Sequence, residues 1–230
     1  HVRSRRQRQM CIRDRNYLVM TRPDIAYPVS VVSQFMESPT VNHWNALRQI
    51  LCYLKGSVGQ CIVYTNQRHG RVEAFADADW AGSKLDRRST SGFCVLLGGN
   101  LISWKSKKQN VVARSSAESE YRAMANRVCE LIWVSQFMDE IGWQCDKPMK
   151  LWCDNKAALH IAHNPVFHER TKHIEVDCHL IREKIQQGII CTGHVNSEEQ
   201  LADLLTKSLS GNRIGFLCNK LGMNNLYAPN

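Results

Sequence analysis

Acidic residues stand at four places where apolar sequence surrounds them: Asp77 in FADADWAG, Glu120 in SSAESEY, Asp154 in LWCDN and Asp203 in QLAD. Carboxylates are kept out of strands and cores because burying an unpaired charge is costly. Brought together, four of them repel one another unless they share a cation. Hard divalent ions with oxygen ligands meet that need, and Mg2+ keeps several waters while taking only a few carboxylates. Two such ions about 4 Å apart stabilise both the attacking and the leaving oxygen of phosphoryl transfer. Spacing alone does not single this set out. A chain with 21 Asp and Glu residues offers many sets of four, and each acid also suits a cap or a solvated helix face.

The elements that carry the acids can be read along the chain. VEAFADADW alternates, with Phe75, Asp77 and Asp79 on one face of a strand and Ala74, Ala76 and Ala78 on the other. FCVLL-GGN-LISW predicts a hairpin around a Gly-containing turn, and NVVAR a further strand of the meander. Ser115-Ser116-Ala117-Glu118 matches a capping box. It opens a long helix with Tyr121, Ala125, Val128, Leu131 and Met138 on its apolar stripe and Gly142 at its end. MKLWC is a short buried strand that delivers Asp154 at its carboxyl end. Asn155–Ile161 and His173–Gln187 follow as helices, IICTGHV as a strand, and Ser197 caps a last helix that contains Asp203. A meander followed by alternating strands and helices implies a mixed sheet with helices on its faces. Ligand sites in such sheets gather at the carboxyl ends of the parallel strands, an edge that Asp77 and Asp154 could both reach and to which adjacent helices could supply Glu120 and Asp203.

Upstream, Ile25, Val29, Val32 and Phe35, and then Trp44, Leu47, Ile50, Leu51 and Leu54, recur at helical spacing between Pro23 and Gly56. The chain has 230 residues, 43% hydrophobic and 22% charged, and is ordinary for a globular protein with a sizeable core. No apolar run is long enough to span a membrane, and no signal-peptide core stands near the start. Ten Cys without CxxC pairs read as reduced intracellular thiols. The formal charge of +9 favours polyanionic partners, chiefly nucleic acid. Residues 1–15 contribute +5 of it through six Arg and one Asp, and leave the remainder at only +4. This head reads as a disordered tail or a non-native addition (QRQMCIRDR resembles translated sequencing-adaptor read-through), and it is set apart from the fold.

The order of strands, helices and acids resembles the ribonuclease H fold. DADWAG, DRRSTSG, SWKSKKQ, SSAESEY, LWCDNKAA, NPVFHERTKHIEVD and QLADLLTK resemble, in order, the ribonuclease H domain of Copia/Ty1-type LTR retrotransposon Pol polyproteins. TRPDIAYPVSVVSQFM and HWNALRQILCYLKGS resemble the tail of the same family's reverse transcriptase. The resemblance implies an α/β, ribonuclease H-like mixed five-stranded sheet flanked by helices over residues 70–208. A helical reverse-transcriptase tail over 16–65 precedes it, and a C-terminal tail over 209–230 follows. It implies hydrolysis of the RNA strand of RNA/DNA hybrids during reverse transcription. Asp77, Glu120, Asp154 and Asp203 would hold two Mg2+ or Mn2+ ions. His194 stands nine residues before Asp203, where related ribonucleases H carry a mobile His.

Arg87, Arg88, Ser89, Lys105, Lys107, Lys108 and Gln109 surround the loop and hairpin after the first strand, where they would contact phosphates if they are more than a solvated charge run. Asn155 would meet a sugar or base edge, with hybrids recognised by groove shape and the 2′-OH. The expected partners are an RNA/DNA hybrid and the remainder of the reverse transcriptase polyprotein, in a cytoplasmic virus-like particle or the nucleus, with no membrane. His160, His163, His168, His173, His179 and Cys178 crowd one region, but their spacing does not match a four-ligand zinc motif, and no zinc is expected. The competing reading is a nucleic-acid-binding relic without catalysis. No YxDD motif is present, so the chain is expected to lack DNA polymerase activity.

Overall fold

A computed structural model of the chain describes residues 17–164 and 174–227; the Arg-rich head, His168 and His173 lie outside the described residues. In chain order the elements are α1 (Ala26–Ser33), α2 (Val41–Gly56), β1 (Gln60–Ile62), β2 (Arg71–Asp79), β3 (Thr90–Leu97), β4 (Asn100–Lys108), α3 (Ser116–Glu140), β5 (Asp146–Cys153), α4 (Lys156–His163), α5 (Glu175–Gln186), β6 (Ile190–His194), α6 (Gly211–Lys220) and β7 (Met223–Asn225). They divide into two compact units: residues 65–207 form one, and the residues up to Tyr64 together with those from Ser208 onward form the other.

The larger unit is built on the expected five-stranded mixed sheet, in the order β4-β3-β2-β5-β6. β2, β3 and β4 run antiparallel as a meander, whereas β2–β5 and β5–β6 are parallel. The alternation in β2 sorts its side chains as the sequence predicts. Ala74, Ala76 and Ala78 are buried in a core with Tyr121, Met124, Val128 and Leu131 of α3. Three alanines in succession on this face let the helix backbone come close to the sheet. On the opposite face, Phe75 stacks on Trp152 of β5 with ring centroids 6.1 Å apart.

α3 starts where its sequence says. Ser115 is extended and its Oγ accepts from the Glu118 N–H, while the Glu118 carboxylate accepts from the Arg114 N–H at 2.8 Å, one residue further back than the reciprocal bond of a capping box. Gly142, at φ +79°, lies just past its end in the left-handed region that favours glycine.

Two expectations are corrected. NVVAR is a loop, with Val111 and Val112 exposed. β4 already runs to Lys108, and Gln109 then turns the chain towards α3 by donating its Nε2 to the Ser119 carbonyl (2.9 Å) and the Ser91 hydroxyl (2.8 Å). The segment after Ser197 is not one helix but two 3-10 turns, Ser197–Glu199 and Leu201–Leu205. Gln200 is extended between them. Its buried side chain donates to the Ala76 carbonyl of β2 at 2.9 Å and accepts from the Ala202 N–H, which fastens the second turn to the sheet.

That turn lies on Gly92 of β3, the register partner of Asp77. A Cβ built at Gly92 would meet Thr206 Cγ2 at 2.6 Å and the Leu205 Cβ and carbonyl carbon at 2.8 and 3.0 Å. Gly92→Ala is therefore expected to cost ~1–3 kcal/mol through overpacking against backbone. The check is a thermal melt of the variant, which should show a midpoint several degrees lower; an unchanged midpoint would mean that the turn is free to lift.

In the smaller unit, α1 and α2 pack through Ile25, Val29, Val32, Leu47 and Ile50, the stripe the spacing predicts. Thr40 caps α2 by accepting from the His43 N–H. Asp24 is buried, held by Arg22 (2.7 Å) and by the Tyr53 hydroxyl (2.7 Å). The residues read as a C-terminal tail carry α6 and β7, and β7 pairs antiparallel with β1.

Candidate active site

Each acid reaches the carboxyl edge of the parallel strands by a different route. β2 carries Asp77 two residues beyond Phe75, which pairs with Trp152 of β5; two residues beyond Trp152 stands Asp154. The two therefore share one end of the sheet. Glu120 is in the second turn of α3, and its carboxylate accepts from the Ala78 N–H at the end of β2. Asp203 comes from the turn pinned by Gln200. Asp77, Glu120 and Asp203 are 3–5% exposed, and Asp154 is half-buried.

The charges act on one another. Burial raises the Asp77 carboxyl to about 6, with Asp203 and Asp154 adding to the rise while Lys207 and the Thr206 hydroxyl oppose it. Burial likewise pushes Glu120 up to about 10, reinforced by Asp77 and Asp154. Glu120 thus keeps its proton at neutral pH when nothing else compensates the charge, and hydrogen-bonds Asp77. Asp79, the second acid of FADADWAG, points at the Gly82 turn, where its Oδ2 occupies the space a Cβ on Gly82 would need.

Residues that the sequence reading did not single out hold the acids in place. Lys207 Nζ pairs with Asp203 Oδ1 at 2.7 Å, the Thr206 hydroxyl donates to Asp77 Oδ2, and the Ser197 hydroxyl donates to Asp154 Oδ2 at 3.0 Å. The i,i+4 spacing of Asp203 and Lys207 in LADLLTK was the available signal; Ser197 reads in the sequence only as a helix cap, not as a partner of Asp154. Cys153 is buried beside the acids, with Sγ 3.9 Å from Glu120 Oε2. Glu120, Cys153 and Asp154 present ligand atoms within 4.8 Å of one another, the only such group of His, Cys, Asp and Glu among the described residues.

The other expected site residues are distributed unevenly. His194 is exposed at the end of β6, in register with Cys153, and so stands at the same sheet edge as Asp154. Arg87 is exposed, while Arg88 (3.7 Å) and Lys108 (2.9 Å) pair with Asp86. Lys105 and Lys107 are exposed along β4. Ser89 is not on that surface: it is fully buried, and its hydroxyl accepts from the Ala81 N–H to shape the loop after β2. Gln109 ties β4 to α3, and Asn155 uses its Oδ1 to cap α4 through the Ala158 N–H at 3.0 Å. Of the histidine cluster, His163 bonds Thr192 of β6 (2.8 Å) and His160 bonds Asn164 (2.7 Å).

No family model matches the chain. Curated relatives do. The chain is 46% identical over 200 residues to a retrovirus-related Pol polyprotein from transposon RE2 of Arabidopsis thaliana, a match that covers 87% of this chain and 14% of that protein. It is 38% identical over 204 residues to the corresponding polyprotein from transposon TNT 1-94 of Nicotiana tabacum, covering 89% of this chain and 15% of that one. The chain belongs to the Pol polyproteins of Copia-type retrotransposons. It spans about 14% of the length of the RE2 polyprotein. Among solved structures, it is similar to the N-terminal RNase H domain of Rv2228c from Mycobacterium tuberculosis, with a TM-score of 0.44, 13% identity, and coverage of 65% of this chain and 97% of that one. In this chain the acids gather where the parallel strands of the five-stranded mixed sheet end. None of its described helices is long and apolar enough to cross a membrane.

Proposed function

We propose that the 70–208 region is a metal-dependent ribonuclease that cuts the RNA strand of RNA/DNA hybrids endonucleolytically during reverse transcription, working as one module of a longer Pol polyprotein. The observation that carries this reading is the electrostatic coupling of Asp77, Glu120, Asp154 and Asp203 at one sheet edge. Carboxylates gathered at one edge, with Glu120 driven towards its protonated form chiefly by burial and further by Asp77 and Asp154, are the donor chemistry of a hard divalent cation. These four acids would hold two Mg2+ or Mn2+ ions, which supply Lewis-acid activation of water and charge stabilisation at the departing oxygen.

The chain's own groups then have distinct tasks. Lys207, Thr206 and Ser197 fix the directions of Asp203, Asp77 and Asp154, so that the carboxylates need not reorganise when charge develops. His194, exposed at the end of β6, would carry a proton between solvent and the leaving oxygen. Arg87 and Lys107, which are exposed, and Arg88 and Lys108, which pair with Asp86, would engage phosphates, with Asn155 near the sugar. Discrimination for hybrids would rest on groove shape and the 2′-OH.

The test is incubation of the protein with a hybrid labelled on its RNA strand, with Mg2+ and with EDTA. RNA cleavage in the hybrid that requires Mg2+, with the same RNA left intact in single-stranded form, is the expected result. Binding of hybrid without any cleavage in Mg2+ or Mn2+ would instead establish an inactive nucleic-acid-binding relic.

A further inference from the structure

Between the edge strand β4 and helix α3 lies a groove of about 370 Å³ that the acidic site does not use. Its floor is Phe93 of β3, and its walls carry Lys105 and Lys107 on one side and Arg122, Asn126 and Arg127 on the other. Arg127 is the unusual member. Its guanidinium lies 3.2 Å above the centroid of the Phe93 ring, and burial lowers its pKa to about 10 even though Glu130 opposes the drop. Its Nη1 is buried and has no hydrogen-bond partner among the described residues. Leaving such a donor unmatched costs free energy, so a structure that keeps one beside an open groove is arranged for an acceptor that arrives from outside. Glu130, the nearby acid, is itself engaged by the Ser103 hydroxyl at 2.7 Å.

The charge around the groove points the same way. Arg122 pairs with Glu118 at 3.1 Å and also faces Asp177 at the far wall, which leaves the two lysines and Arg127 as a net positive lining. The groove also leads somewhere. At one end Gln109 bonds the carbonyl of Ser119, the residue before Glu120, so a chain lying in the groove runs towards the acids along the first turns of α3.

We infer that this groove binds a phosphodiester segment of nucleic acid, with Arg127 as the buried phosphate donor and Lys105 and Lys107 as the outer contacts, extending the substrate path beyond the catalytic edge along the β4–α3 side. The inference rests on the nuclease reading for its class of ligand. A guanidinium pre-set on an aromatic face offers two donors in a fixed plane, the geometry that suits a phosphate better than an ammonium does.

The experiment measures fluorescence anisotropy of a labelled RNA/DNA hybrid with the full chain in Ca2+ over a series of KCl concentrations. Lys105→Ala/Lys107→Ala, at exposed positions, should weaken binding about fivefold to tenfold and make the dependence of log Kd on log salt shallower by ~1–2. Arg127→Gln should weaken it about tenfold, and Arg127→Lys should recover part of the loss; circular dichroism and a thermal melt show that both are folded. Unchanged affinity and slope in the lysine pair would overturn the inference, whatever happens to Arg127. Replacing part of the KCl by inorganic phosphate at fixed ionic strength should leave hybrid affinity unchanged. Displacement of the hybrid by phosphate, dependent on Lys105 and Lys107, would mean a site for the free ion and also overturn it. Cleavage by the wild-type chain is scored separately: a protein that cuts hybrid but binds it independently of the groove sinks this inference alone, and one that binds through the groove but does not cut sinks only the nuclease reading.

Discussion

Asp77→Asn is expected to lower Mg2+-dependent cleavage of RNA in a hybrid by about a thousandfold or more, because it removes a charge from the centre of the acidic site at a point where the protein contributes mainly by placing charge. The substitution is nearly isosteric. Asp77 is 3% exposed, packed on the strand that joins the meander to the parallel half of the sheet, and in contact with the Thr206 hydroxyl. Asn can keep that contact, so the variant should fold, and without metal it should melt at the same temperature as the parent or above it. Asp154→Asn should behave alike in the assay. Asp79→Asn is the informative control, since Asp79 turns towards the Gly82 bend rather than into the cluster; it should retain activity within about tenfold. If Asp77→Asn cuts hybrid as well as the parent, the assignment of the site fails, and a larger loss from Asp79→Asn than from Asp77→Asn would exchange the roles of the two acids.

The second large effect concerns stability. Asp77 and Glu120 both have carboxyls raised in the folded state, to about 6 and about 10, chiefly by burial. A raised folded pKa means that the folded chain binds the proton more tightly than the unfolded chain does. The corresponding stability is complete below the ordinary carboxylate range, near pH 4, and drains away as pH rises through the folded value. For Asp77 that window closes near pH 6, and for Glu120 it extends to about pH 10. The metal-free protein is therefore expected to lose stability steadily between pH 5 and pH 8, a drop of at least several degrees in melting temperature. Added Mg2+ should oppose the loss, by more at pH 8 than at pH 5, because cation and proton compete for the same oxygens. Glu120→Gln should flatten the pH dependence, raise the metal-free midpoint at pH 8 and abolish the Mg2+ increment. Differential scanning fluorimetry across pH, with and without Mg2+, reads all three. A midpoint that rises from pH 5 to pH 8 without metal would show that the two carboxyls do not share a desolvated site.

What the sequence disclosed follows from how local its signals are. The alternation in VEAFADADW sorted the core face from the acid face, and Ser115 and Gly142 marked the ends of α3, because strand period and helix caps are written within a few residues. NVVAR misled because three β-branched or small residues in a short run look alike in a strand and in a loop. What decided it was Gln109 bonding to Ser119, a partner visible only once α3 is in place. The 3-10 turn that carries Asp203 depends on Gln200 reaching Ala76, 124 residues away in sequence, and no local pattern encodes that bond. The four acids were named from the order of the motifs rather than from spacing. Their neighbours Ser197, at the start of a 3-10 turn, and Cys153, at the end of β5, touch them through contacts that the cap and motif readings did not reveal.

The pairing of β1 with β7 makes the larger unit an insertion in the smaller one. During synthesis on the ribosome, residues 65–207 are all available for folding before Met223–Asn225 has been made, whereas β1 has no partner strand until those last residues emerge. The β1–β7 pair is thus completed after the larger unit's residues have been made. A protease cut between Lys207 and Gly211 would leave the acidic module whole yet take α6 and β7 from the helical unit, so cleavage at that junction would unmake the β1–β7 pair and spare the acids.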